Sequence, residues 1–254
     1  AVDLIIKDSG DRPARLRLRA LVAELLRPQF ETLGYTPRPG ESQNDIQRRA
    51  LLIAALGSLA RVPEVIAEAV ARAEREREDP RSIDGNLAGT FVAIAARFGD
   101  GDQYDRHVTT YLSRKNQGAP PQESARYLYT LSHYRSAELA DRTLALIENS
   151  VIPQEAVGQV LSQLFYSRHA QERAWDYLRR AWTTLQKRVG DMGLSRLVEA
   201  VGSLPYGRRA EIVSFFAENP PATGVRALQR ALDNMDQREE LRRRVVPGLV
   251  ALLQ

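Results

Sequence analysis

The chain carries three histidines, His107, His133 and His169, and no cysteine, so it offers no thiolate nucleophile, no disulfide and no Cys-ligated metal. None of the histidines has a second His four residues on, which removes the paired-imidazole helix that seats a hydrolytic zinc ion. His169 and Glu172 share a helix face, but two ligands do not complete a metal site, and a surface hydrogen bond accounts for them. Asp100, Asp102 and Asp105 resemble a fragment of a calcium loop. The remaining ligands and the closing Glu are missing, and the Asp100/Gln103 spacing suits a helix cap instead. There is no Gly-x-Ser-x-Gly elbow and no Gly-Lys-Ser/Thr phosphate loop. Trp175 and Trp182 lie seven apart, which puts them on one helical face and predicts core packing. By its residue types alone the chain is a poor enzyme.

Its charges tell a similar story. Of 36 basic residues 33 are Arg, against 32 acids and a net charge of +4. They are interleaved, as in Glu74-Arg75-Glu76-Arg77-Glu78 and Glu239-Glu240-Leu241-Arg242-Arg243-Arg244. At helical spacing these runs read as solvated faces laced with i,i+3 and i,i+4 pairs. No basic stripe with interleaved aromatics occurs, so no nucleic-acid partner is expected. With 43% hydrophobic and 27% charged residues, 254 residues suffice for a well-filled core. No run approaches the ~18 apolar residues of a membrane span, so no membrane partner is expected. The first ten residues, AVDLIIKDSG, lack the basic start and long apolar core of a secretory leader. With the lack of Cys this leans towards the cytoplasm and leaves the compartment open.

The elements that would position any site are helical throughout. Leu16, Leu18, Leu21, Val22, Leu25 and Leu26 make an apolar stripe that Pro28 should end or kink. After the Thr36-Pro37-Arg38-Pro39-Gly40 loop, Ser42 and Asp45 should cap a second helix. Pro63 should start a third, stopped by Asp79-Pro80, and Ser82 should cap a fourth that ends at Gly99. Ser136 and Pro153 mark further starts. Later helices are predicted over about 168–189 and 193–204, two more after Gly207 and after Pro220-Pro221, and a last one from Asp236 to Leu253. The fold class is therefore all-α, an irregular HEAT/armadillo-like superhelical array of about twelve or thirteen antiparallel helices in a single domain, 1–254. Each hairpin buries its stripe by stacking on its neighbours.

Several ordered runs resemble one family. Tyr127-Leu128-Tyr129-Thr130-Leu131-Ser132-His133-Tyr134-Arg135-Ser136-Ala137-Glu138-Leu139 resembles the "LL.ALG..rdp.LL" signature of the C-terminal helical domain of gluzincin zinc aminopeptidases. Ile152-Pro153-Gln154-Glu155 is similar to that domain's "(v/i)R.QD" helix start, with Glu155 where Asp is usual. The run Arg173 to Trp182 resembles "G...aWdf...nW", with Ala181 where Asn is usual. Val213 to Pro220 resembles "v..FF..hP", Gly224 to Leu232 resembles "g.raL.qaLe.i", and Leu33 to Ser42 resembles "lGw.p.pge".

The resemblance implies a bowl-shaped helical domain that closes over a thermolysin-like catalytic domain of the same polypeptide and encloses a peptide substrate. It implies zinc in that catalytic domain and no cofactor in this chain, which lacks both the zinc motif and the amine-recognising Gly-x-Met-x-Asn loop. Arginines near the resembling runs could hold a peptide carboxylate bidentately. The substrate-contact candidates are Arg126, Arg135, Gln154, Glu155 and Arg168. A face normally covered by the catalytic domain would leave the isolated chain prone to dimerise.

Overall fold

The computed structural model describes residues 11–221 and 223–253; the leader reading of residues 1–10 lies outside them. Among the described residues there are twelve α-helices and no strand, so the all-α expectation holds. They are α1 (Arg12–Leu33), α2 (Gln43–Ala54), α3 (Pro63–Glu78), α4 (Gly85–Phe98), α5 (Gly101–Asn116), α6 (Pro121–Thr130), α7 (Ala137–Glu148), α8 (Gln154–Phe165), α9 (Gln171–Arg188), α10 (Asp191–Ala200), α11 (Arg209–Glu218) and α12 (Val225–Leu253). No single described helix is long and apolar enough to cross a membrane.

Two compact units emerge. Of the described residues, unit 1 takes those up to Gly99, Thr109–Tyr127 and those from Leu241 on; unit 2 takes Asp100–Val108 and those from Leu128 to Glu240. In unit 1, α3 packs along α4, and a π-helical turn, Ala55–Ala60, links α2 to α3. That turn lies so close to α4 that a Cβ on Gly57 would sit 2.8 Å from Ile94 Cδ1. In unit 2, α8 and α10 meet backbone to backbone: a Cβ on Gly158 would lie 2.9 Å from Gly193 Cα. Trp175 and Trp182 are buried on α9, as their spacing predicts, each within 6.4 Å of the Phe215 and Phe216 rings.

Most predicted caps form. Ser42 accepts from Asp45 N at 3.1 Å, Asp100 from Gln103 N at 2.9 Å, and Ser136 from Leu139 N at 3.3 Å. Three boundaries differ. Pro28 does not end α1, which continues to Leu33. Its C-terminal carbonyls are bound by the buried Arg49 guanidinium, which donates to Leu33 O and Gly34 O and so supports the last turns. Asp84, not Ser82, caps α4, accepting from Asn86 N at 2.9 Å; Ser82 N is used in a turn to Asp79 O. Finally, the helix after Pro221 and the one expected from Asp236 are a single 29-residue helix, α12. No Pro or Gly interrupts residues 225–246, and Ala227, Ala231 and Met235 keep one face buried through the expected break.

Candidate functional site

The five candidate residues fall on separate segments. Arg126 stands on α6 in unit 1, and its side chain is only 8% exposed. It is engaged by Glu76, a carboxylate in the last turn of α3 that is fully buried. Glu76 also accepts from Arg114 Nη1 of α5 at 2.9 Å and from the Tyr127 hydroxyl of α6. Arg114 reaches further, donating through Nη2 to the Glu76 and Arg77 carbonyls at 2.7 and 3.2 Å. A cation there also complements the negative end of the α3 dipole. Its guanidinium carbon lies 4.8 Å from the Tyr127 ring centroid. Burial, and then the hydrogen bond to Glu76, push the Tyr127 phenol well above its usual range, so it stays a donor at every physiological pH.

This knot corrects one reading of the sequence. Glu76 belongs to the Glu74–Glu78 run expected to be a solvated face, yet it has no exposed surface. The signal was present: Glu76 continues the stripe of Val65, Ala69 and Ala73, all buried, at four, four and three residues. A carboxylate placed on an apolar stripe must find cations, because leaving it unpaired costs several kcal/mol on the order of magnitude known for buried charges.

The other four candidates lie in unit 2. Arg135 sits in the turn between the short helix Leu131–His133 and α7, half-buried, and forms no hydrogen bond or ion pair with any described residue. Its neighbours fix that turn. The Tyr134 hydroxyl meets His107 Nδ1 at 3.0 Å, Ser132 Oγ meets Gln163 Oε1 at 2.7 Å, and Thr143 Oγ1 lies 2.9 Å from the Tyr104 hydroxyl. Gln154 and Glu155 are neighbours on the exposed first turn of α8, and Arg168 is exposed on the α8–α9 connection.

A groove of about 530 Å³ runs beside α7 and α9. Asp141, Glu148, Glu172 and Asp176 line it, and each is paired with an arginine: Arg173, Arg180, Arg208 and Arg179 respectively, at 2.5–2.8 Å. Such exposed pairs contribute little each. The Trp175 indole donates to Glu211 Oε1 at 2.9 Å, while Arg208 and Arg179 hold the same carboxylate at 2.7 and 2.8 Å. The Trp175 hydrogen bond, ahead of the arginines, keeps the Glu211 carboxyl below its usual range. Among the described residues no group of three or more His, Cys, Asp or Glu could hold a metal ion, so the residues present do not fit a zinc site.

The residues that resemble family signatures are therefore largely structural. Tyr127, Tyr134, Trp175 and Trp182 are buried, and Glu41 of the Leu33–Ser42 run is the carboxylate that holds Arg49. These pairings and the buried aromatics make up an all-helical framework among the described residues. Residues 3–237 match the ERAP1-like C-terminal domain, and the chain belongs to that family. It is similar to the glutamyl aminopeptidase of Bitis rhinoceros (31% identity over 46% of this chain and 12% of the relative). It is also similar to aminopeptidase M1-B of Oryza sativa subsp. japonica (26% over 92% and 27%), and to aminopeptidase N of Lactococcus lactis subsp. lactis (23% over 87% and 26%). The chain thus spans between 12% and 27% of the length of these relatives.

Proposed function

We propose that this chain is the C-terminal, substrate-enclosing domain of a zinc aminopeptidase, whose catalysis belongs to a thermolysin-like domain of the same polypeptide. The observation that supports this reading is the family match over nearly the whole chain, together with relatives that are much longer aminopeptidases. In this reading the chain acts as one domain and presents a concave helical wall. Closing that wall over the catalytic domain excludes water and limits the length of peptide that can enter. Zinc and the hydrolytic step lie with the catalytic domain, and no step is assigned to this chain.

Arg135 is the residue we place nearest the peptide. It is half-buried and unengaged by any described carboxylate, so its donors remain available for a peptide's terminal carboxylate. Gln154, Glu155 and Arg168 are exposed and could line the same path; Arg126 is committed to Glu76. With Leu16, Leu25 and Leu51 exposed in unit 1, the isolated chain is expected to self-associate.

The deciding experiment is an immunoblot of the native gene product with an antibody raised against this chain. A band several-fold above 28.5 kDa supports the domain reading. A band near 28.5 kDa, with a protein partner unrelated to peptidases, would replace it with a free-standing helical scaffold. The isolated chain should also release no amino acid from peptides and carry no stoichiometric zinc; tight zinc at one ion per chain would overturn that part.

A further inference from the structure

Residues 109–127 comprise the second half of α5, the loop around Gly118 and most of α6, and they belong to unit 1. Of these nineteen residues only Tyr111, Arg114 and Tyr127 are buried, and none of the three is aliphatic. Two of them, Arg114 and Tyr127, are buried because they bind Glu76, as does the nearly buried Arg126. The third, Tyr111, keeps a buried hydroxyl with no hydrogen-bond partner among the described residues, which opposes its burial rather than favouring it. The rest of unit 1 is held differently. Val65, Ala69 and Ala73 of α3 and Leu87, Ala88, Phe91, Val92, Ile94 and Ala95 of α4 are all buried apolar side chains on two helices that pack along each other.

Apolar packing weakens gradually as groups separate. A buried carboxylate shared by two guanidiniums and a phenol does not: once the ions part, each must be rehydrated, and intermediate geometries leave charges both desolvated and unpaired. The contact is all-or-none. We propose that residues 109–127 form a detachable hairpin, latched onto the rest of unit 1 at the C-terminal end of α3 by the Glu76 carboxylate, with the Glu76 and Arg77 carbonyls as secondary holds on Arg114. Opening it takes no fully buried aliphatic side chain of the segment out of the core; it parts Glu76 from Arg114, Arg126 and Tyr127, frees Arg114 from the Glu76 and Arg77 carbonyls, and exposes Tyr111. This inference does not depend on the enclosing role proposed above.

Hydrogen–deuterium exchange with peptide-level mass spectrometry tests it on the unmodified chain. Amides of 109–127 should open as one cooperative block, and at least about ten-fold more often than those of α3 and α4, since local opening spans a range below global unfolding. In Glu76→Gln that block should exchange about 100-fold faster again, on the scale expected for breaking a buried ion pair. Residues 63–73 and 85–98 should keep their protection. Arg126→Gln, which removes one arm and leaves Arg114 and Tyr127 in place, should give a smaller acceleration confined to the same block, and it serves if the Glu76 variant does not fold. Equal acceleration across α3, α4 and 109–127 in Arg126→Gln would show Glu76 to be a general core residue and overturn the latch. Equal protection of both regions in the unmodified chain would do the same.

Discussion

Arg49 and Glu41 face each other through two hydrogen bonds of 2.6 Å each, one from each terminal guanidinium nitrogen, with Arg49 wholly buried. The same guanidinium donates to Leu33 O at 3.0 Å and to Gly34 O at 3.1 Å. One side chain of α2 thus closes the end of α1, fixes the turn at Gly34 (φ 64°) and anchors the loop that carries Glu41. Bidentate geometry of this kind needs the planar fork of Arg, and Lys cannot supply it.

The first prediction concerns acid stability. The Arg49 hydrogen bond is the main reason that the Glu41 carboxyl titrates below the ordinary range of an unfolded carboxylate. Because the folded-state value is depressed, Glu41 contributes stability that is fully present above that unfolded range and is lost as pH falls through the lower, folded value. Thermal unfolding followed from pH 7 down to pH 2 should show this loss in the unmodified chain. Glu41→Gln should flatten part of it, and Arg49→Lys should lower Tm at pH 7 by about 5 °C or more. Identical profiles for the unmodified chain and Glu41→Gln would exclude the pair as a source.

A second prediction rests on backbone approach. A methyl on Gly158 meets Gly193 Cα, C and O at 2.9–3.1 Å, and backbone cannot swing aside. Gly158→Ala should therefore cost about 1–3 kcal/mol through overpacking. Gly193→Ala meets Val189 Cγ1 at 2.7 Å, a side-chain atom that can rotate, and should cost less. Urea unfolding of the two variants gives the order; the reverse order would mean that α8 and α10 are less tightly seated than described.

Trp175 supplies the third. Replacing it by Phe removes the donor to Glu211 and some core volume, for an expected loss of about 2–4 kcal/mol. The Glu211 carboxyl should move back up towards 4.5, because the indole is the largest cause of its depression. Carboxyl-carbon NMR titration reads that directly. An unchanged Glu211 midpoint in Trp175→Phe would assign the depression to Arg208 and Arg179 instead.

On the proposed enclosing role, Arg135→Ala in the full-length polypeptide should raise KM for peptides with a free C-terminal carboxylate by about ten-fold or more, with kcat little changed, as expected for loss of a charge-assisted contact. C-terminally amidated peptides should respond much less. An equal effect on both substrate types would remove Arg135 from the peptide path.

Much of the architecture could be read along the chain because it is set locally. Helical periodicity, the Ser42, Asp100 and Ser136 caps, and the prolines at 63 and 153 act within one turn of their own position, so residue type and spacing suffice. The errors fell where a distant partner overrode a local preference. Pro28 does not stop α1 because Arg49, twenty-one residues later, binds the carbonyls at its end. α12 does not break near Asp236 because Met235 just before it is buried and Arg238 just after it donates to Gly202 O and Leu204 O at 2.6 and 3.0 Å.

The candidate site divides in the same way. Residue types alone determined that this chain has no Cys chemistry and no paired-histidine motif, and its ordered runs pointed to the right family. Only the tertiary structure decided that Arg126 is bound to Glu76 while Arg135 is left unengaged. Glu76 and Arg126 are fifty residues apart, and a guanidinium on a helix surface looks the same in sequence whether it faces water or a buried carboxylate. Burial and ion pairing are properties of what packs opposite a residue, and that is settled only when the helices have met.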